Sequence, residues 1–292
     1  MKAAEFDYAR PGTVEEVCRL LDSAHGDGKI IAGGQTLVPL MAMRLTRPSL
    51  VIDINRIAEL QGIEAEADGV VIKAATRQAD ALASETMQRR LPLLAKGLRF
   101  VGHPQTRNRG TIGGSLANAD PAAEICLVAR TLDAEITARS SQGVRQIAIA
   151  DFCQGAMTTA LAAEECLTEL RLPAWQNASR IGTGFQEMSI RQSDFALVAA
   201  ACQLALDQDG VCRRIALGVG GVEASPLRAT VAEKLLTGTK LATGDIDKAA
   251  EALQASLAPL SDVHASADYR RRVAGALAAR VVAAARDDAL AA

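Results

Sequence analysis

Two short stretches, Ala32-Gly33-Gly34-Gln35-Thr36 and Thr111-Ile112-Gly113-Gly114-Ser115, carry the strongest signal in the chain. Each places two adjacent glycines after apolar residues and follows them with a small polar side chain. Glycines let a backbone come close to a ligand and turn its N–H groups toward an anion. Thr36, Thr111 and Ser115 add hydroxyl donors. Two such loops can clamp one pyrophosphate, whereas either alone is about as readable as a plain tight turn. Neither matches the Gly-Lys-Ser/Thr of a Walker A loop or the Gly-x-Gly-x-x-Gly of a Rossmann turn, so a dinucleotide here is held some other way.

The surroundings alternate helix and strand signals. Thr13 with Glu16 makes a capping box before apolar residues at helical spacing, which predicts a helix over 13–24. Strands are expected at 29–32, entering the first glycine loop, and at 50–54, with a brief helical piece near 39–45. A second unit begins with a strand at 70–74, continues through helical segments within 80–100 and reaches the glycine-rich stretch 110–115. Segments 132–138 and 144–149 read as a hairpin around Ser140-Ser141-Gln142-Gly143, and 165–172 as a strand closing on Pro173. Beyond a boundary at 173–179, strands at 195–206 and 211–219 flank Asp207-Gln208-Asp209-Gly210, and helices follow at 229–236, 245–257 and 268–286. The reading is α+β in two lobes. A domain over 1–176, with subdomains of about 1–54 and 55–176, precedes a second domain over 177–292.

Composition narrows the function classes. With 292 residues, 49% hydrophobic and 23% charged, and a net charge of −2, the chain falls within the range of globular proteins and has no broad cationic face for nucleic acid. The charge-free stretch 30–43 is shorter than the roughly 20 residues a membrane helix needs, and Gly33, Gly34 and Pro39 interrupt it. Acidic residues stand where a signal-peptide core would be, which places the chain in the cytoplasm. The six cysteines show no Cys-x-x-Cys and the three histidines no cluster, so no metal site is expected within the chain. Hard redox chemistry must then come from a bound cofactor.

The segments 32–41 and 105–121 resemble the two FAD-binding segments of the medium, flavoprotein subunit of molybdenum hydroxylases, the family of carbon monoxide dehydrogenase and xanthine dehydrogenase. The likeness continues in register through 194–198, 215–222 and 264–271 and covers essentially the whole chain. It implies a flavin-binding fold of the vanillyl-alcohol-oxidase type, followed by a C-terminal domain of a three-stranded sheet with helices. It places the pyrophosphate of a noncovalent FAD between Ala32, Gly33, Gly34, Gln35, Thr36 and Leu37 on one side and Thr111, Gly113, Gly114 and Ser115 on the other. Asn118 and Glu124 match positions that bind phosphate and the adenosine ribose, Glu124 standing where the family usually has Asp. Val101, Gly102, His103 and Gln105 match the segment beside the isoalloxazine ring, and Arg191, Asp194 and Phe195 approach that ring from the C-terminal lobe. Gln35 stands where flavoproteins of the wider fold often carry His, which excludes a histidyl–flavin bond.

The resemblance implies an electron-transfer subunit of an oxidoreductase. A large molybdenum-cofactor subunit hydroxylates the substrate, a small subunit with [2Fe–2S] clusters relays electrons, and the FAD of this chain passes them to an external acceptor, in a dimer of heterotrimers. No catalytic acid or base is expected in the chain itself. Two alternatives stand beside this reading, a free-standing flavin oxidase or reductase and a flavin-free scaffold subunit. Single residues keep plainer readings too. His103 reads equally as a loop histidine, Asp120 as a helix cap, Arg107 and Arg109 as solvated or inter-subunit cations, and Gly218, Gly220 and Gly221 as a bulged strand. Cys126 and Cys202 read as core.

Overall fold

The computed structural model describes residues 2–175 and 180–292. The expected domain boundary at 176/177 lies outside the described residues.

The first helix, Val14–Ser23, starts where the capping pattern predicts. The Thr13 hydroxyl accepts from the Glu16 N–H at 3.3 Å, while the Glu16 carboxylate reaches back to the Gly12 N–H at 2.7 Å. Val14, Val17, Cys18 and Leu21 lie at helical spacing and are buried with Ile52, Ile54 and Ile57. The sheet they cover is parallel, in the order Asp7–Ala9, Leu50–Asp53, Gly28–Ile31. Its outer strand Asp7–Ala9 carries no apolar alternation, which hid it from the sequence.

The second unit is an antiparallel sheet in the order Ile63–Ala65, Gly69–Lys73, Cys166–Pro173, Glu135–Ser140, Gly143–Ala148. The expected hairpin turns at Ser141-Gln142, with Ser140 paired to Gly143 at φ +144°. Helices Gln78–Ala83, Glu85–Arg90 and Pro92–Leu98 fill the region expected to be helical. The stretch 110–115, expected to be a loop, is instead the start of a helix, Ile112–Asn118. Gly113 makes that helix possible: a Cβ there would lie 2.6 Å from the Cβ of Ala74, so the helix can seat against the Gly69–Lys73 strand end only without a side chain.

The C-terminal lobe has the expected three long strands, Arg180–Ser189, Ala196–Leu206 and Cys212–Gly220, plus a two-residue edge strand, Leu227–Arg228. The first of these was not legible in the sequence because Gly182 and Gly184 break its pattern. Those glycines are a slot: a Cβ at either would run into the Ala285 or Val281 carbonyl of the helix Ala267–Ala291. Asp288 of that helix accepts from the Thr183 N–H at 2.9 Å and from the Lys96 ammonium at 2.8 Å, joining the two lobes. Helix Glu124–Thr131 packs against the C-terminal sheet, where a Cβ on Gly218 would collide with the Thr131 hydroxyl. The Gly218 run therefore serves lobe packing, and the strand bulge lies elsewhere, between Ala205 and Leu206.

Candidate functional site

A cleft of about 800 Å³ runs between the end of the parallel sheet and the antiparallel unit, with residues 193–195 of the C-terminal lobe at its rim. Ala32, Gly33, Gly34, Gln35, Thr36, Leu37, Val101, Thr111, Gly113, Gly114, Ser115, Asn118, Glu124 and Asp194 all line it. His103 and Arg191 do not. His103 is exposed and precedes the helix Pro104–Arg109 without capping it. The Arg191 guanidinium is 78% exposed and pairs with Asp194 at 2.9 Å, so it reaches the cleft only through that carboxylate. This bond, with the Phe195 N–H, holds the Asp194 carboxyl below its ordinary range. Phe195 itself is 73% exposed at the rim.

The two glycine segments meet directly. A Cβ on Gly33 would lie 2.8 Å from the Cα of Gly110 and nearer still to the Arg109 carbonyl. They are pinned by two residues that the sequence reading passed over. Asn55 donates from Nδ2 to the Ala32 carbonyl at 2.8 Å, and its Oδ1 accepts from Arg77 at 2.6 Å. Arg77 also donates to the Arg109 carbonyl. Asn55 and Arg77 sit outside both glycine motifs, just past strand ends, and only the signal of a polar residue closing a buried strand could have found them. Asp53 helps orient Asn55 at 2.6 Å; burial works against its charge, but donors from Tyr8 and Asn55 leave its carboxyl below the ordinary range.

The segments differ in what they leave free. In 111–115 every N–H from Ile112 onward is taken: Ile112 donates to the Thr76 carbonyl, Gly113 to Ala74, Gly114 to the Thr111 hydroxyl and Ser115 to the Thr111 carbonyl. What this side offers the cleft is the Ser115 hydroxyl and the Asn118 amide. The N–H groups of Gly33, Gly34, Gln35 and Thr36 donate to no protein group among the described residues. With Gly34 at φ +71°, this segment leaves a row of four backbone donors without protein partners at the cleft. Gln35 turns its own amide onto the Gly33 carbonyl at 3.2 Å.

Other polar groups complete the lining. Gln78 is 5% exposed and its Oε1 has no partner, leaving an acceptor at the cleft wall. Burial pushes the Glu124 carboxyl up to about 7. Outside the cleft, burial and the Glu124 charge push Glu187 up to about 8, and its Oε2 is buried without a partner. Asp120 receives the Ala122 N–H at 2.8 Å, a turn rather than a helix cap, and also lines the cleft. Arg107 donates to the carbonyls of Val101 and Gly102 at 2.9 and 2.7 Å; it shapes the turn expected beside the ring rather than facing phosphate. Among the described residues, no group of His, Cys, Asp and Glu is placed to hold a metal ion.

The donor set fits a dinucleotide with a pyrophosphate: four backbone N–H groups without protein partners and the hydroxyl and amide side chains of Thr36, Ser115 and Asn118 line one cleft of about 800 Å³. Comparison with known proteins agrees. Residues 4–175 match the family described as the FAD binding domain in molybdopterin dehydrogenase, and residues 183–285 the CO dehydrogenase flavoprotein C-terminal domain. The chain is 40% identical over 283 residues to the 6-hydroxypseudooxynicotine dehydrogenase complex subunit alpha of Paenarthrobacter nicotinovorans, covering 97% of this chain and 95% of the relative. It is 34% identical to the carbon monoxide dehydrogenase medium chain of Afipia carboxidovorans, covering 97% of each. The structure superposes on a chain of carbon monoxide dehydrogenase from Hydrogenophaga pseudoflava with a TM-score of 0.94 at 34% identity, covering 99% of this chain and 100% of that one. The chain belongs to the family of FAD-binding medium subunits of molybdenum hydroxylases.

Proposed function

We propose that the N–H groups of residues 33–36 hold the pyrophosphate of FAD, with the Thr36 and Ser115 hydroxyls and the Asn118 amide completing the contact. The open N–H row across the cleft from Ser115 and Asn118 carries this reading. Glu124, raised to about 7, is part-protonated at neutral pH and can both donate to and accept from a ribose hydroxyl. Val101, Gly102, Asp194 and Phe195 flank the ring, and His103 and Arg191 act on it only from outside the lining. The flavin, when bound, supplies one- and two-electron redox chemistry. The chain's own residues bind it, fix its orientation and limit water around it. No side chain here is assigned as an acid or base for substrate.

In the cytoplasm the chain joins a large molybdenum-cofactor subunit and a small subunit with [2Fe–2S] clusters, in a dimer of heterotrimers. Electrons come from those clusters and leave to an external acceptor, with Phe195 at the rim controlling access. The relatives named as medium chains and complex subunits support this assembly. No helix of the described residues is long and apolar enough to cross a membrane. The intact row of donors speaks against a flavin-free scaffold.

The test is to incubate the purified chain with FAD, desalt it, release the flavin with acid and identify it. About one equivalent of intact, noncovalent FAD is expected, because Gln35 offers no imidazole for a covalent bond. A chain that takes up no flavin, alone or with its partner subunits, would overturn the assignment.

A further inference from the structure

Among the described residues one cation is buried. Arg270, 8% exposed, stands in the first turn of the helix Ala267–Ala291, where a positive charge opposes the helix dipole. Three acceptors hold it there. Its Nη1 donates to the Leu197 carbonyl and, at 2.7 Å, to the Gly221 carbonyl, and its Nη2 donates to Asp262 Oδ2 at 2.6 Å. Asp262 Oδ1 in turn accepts the N–H groups of His264 and Ala265 at 2.9 Å each, closing the turn that leads into the helix.

Both carbonyls sit where a sheet ladder is interrupted. Leu197 is skipped in the pairing of Arg180–Ser189 with Ala196–Leu206, since Met188 pairs with Val198 and Ser189 with Ala196. Such a bulge leaves a residue outside the ladder and turns the strand. Arg270 takes up the carbonyl of that residue, and two positions earlier the chain reaches Phe195 at the cleft rim. Gly221 lies just past the end of Cys212–Gly220 at φ +75°, so close to the bulge that a Cβ there would come within 2.5 Å of the Leu197 carbonyl oxygen. Its N–H donates to the Pro121 carbonyl at 3.0 Å, inside the run 120–124 whose Asp120, Ala122, Ala123 and Glu124 line the cleft.

We propose that Arg270 is a positioning residue for the cofactor cleft, its guanidinium holding the rim 193–195 through the Leu197 carbonyl and the run 120–124 through Gly221. Arg270 itself is not among the lining residues. The inference rests on the flavin reading for what the cleft holds, and on hydrogen bonds within the chain for the positioning. A guanidinium suits the task because its plane carries several N–H donors in a fixed fork, whereas an ammonium concentrates the same charge at one point and meets three spread acceptors less well. Loss of the guanidinium removes one donor from two segments that meet the cleft at different places.

The test is hydrogen–deuterium exchange on the full chain without flavin, comparing wild type, Arg270→Met and Arg270→Lys. Methionine keeps a long unbranched side chain and removes every donor. In Arg270→Met, peptides covering 193–199, 218–223 and 119–124 should exchange about 10-fold faster, while the strands Leu50–Asp53 and Glu135–Ser140 keep their wild-type rates. Arg270→Lys should fall between the two. With FAD then added, its dissociation should be about 10-fold faster from Arg270→Met than from wild type and partly restored in Arg270→Lys. Faster exchange spread evenly over the chain would mark a general loss of stability and overturn the proposal. Unchanged exchange in the named peptides, or local loosening with wild-type FAD dissociation, would overturn it as well. If Arg270→Met does not fold, Arg270→Lys must show the same local pattern at lower amplitude or the proposal falls. A wild-type chain that takes up no flavin would sink the cofactor assignment, whereas the exchange pattern, read without flavin, decides whether Arg270 holds the two segments.

Discussion

The two glycine pairs look alike in sequence and do different physical work. Gly33 and Gly34 belong to a segment whose N–H groups have no protein acceptor among the described residues, so its donors stay available. Gly113 and Gly114 belong to a helix start whose N–H groups are all engaged, and Gly113 is there so that the helix can sit against Ala74. A repeated motif thus marks one segment with open donors and one that seats a helix. The proposed clamp is asymmetric, with backbone on one side and side chains on the other.

The strongest way to break that contrast is Gly33→Val. Any Cβ at this position collides with the backbone of residues 109 and 110, so the binding segment must leave its support. FAD affinity should fall by more than about 100-fold, or roughly 3 kcal/mol, in equilibrium dialysis while the far-ultraviolet circular dichroism stays unchanged. Wild-type affinity in this variant would refute the direct contact. Asn55→Ala removes the tie from the Ala32 carbonyl to Arg77 and should weaken FAD by about 10-fold, the worth of one buried hydrogen bond or slightly more.

On the supporting side the effect should move from binding to stability. Thr111→Ala deletes the hydroxyl that accepts from Gly114 and should cost about 1 kcal/mol in urea unfolding, with a smaller loss of FAD affinity than Asn55→Ala. If flavin loss were instead the larger effect, both segments would be binding surfaces and the asymmetry would fail. The smallest expected effect concerns Glu187. Its carboxyl is raised from about 4.5 in the unfolded chain to about 8 in the folded one, so the folded state holds the extra proton between those values. Stability is fully present below the lower value and declines as pH rises through the upper one. Glu187→Gln should flatten that decline, raising the melting temperature at pH 9 relative to wild type by on the order of 2–4 °C and leaving it little changed at pH 5.

Much of this was legible before any coordinates. The helix after Thr13, the hairpin at Ser141-Gln142 and the cleft residues of both glycine segments follow from local chemistry that tertiary packing did not override. Two kinds of feature were not legible. Where glycine makes room for another element, the local pattern argues against the structure that forms: Gly113 lies in a helix, and Gly182 and Gly184 in a strand. Where a residue acts at a distance, its neighbours in sequence say nothing: Asn55, Arg77 and Gln78 reach the two segments from 23 to 33 positions away along the chain. His103 and Arg191 show the limit of sequence neighbourhood in the other direction, since they lie beside lining residues in sequence but are not among them.

The bond from Asp288 to the Thr183 N–H also bears on how the molecule is made. The strand Arg180–Ser189 is covered by a helix whose clasping residue comes 105 positions later. At about 5–20 residues per second of translation, that strand waits roughly 5–20 s for its cover. Throughout that interval Phe185, Ala196, Ala199 and Ala201, which share an apolar cluster with the N-terminal unit, lack the helix that covers their strands. The packing of the two lobes is therefore completed last, when the final helix supplies Asp288 to Thr183 and Lys96.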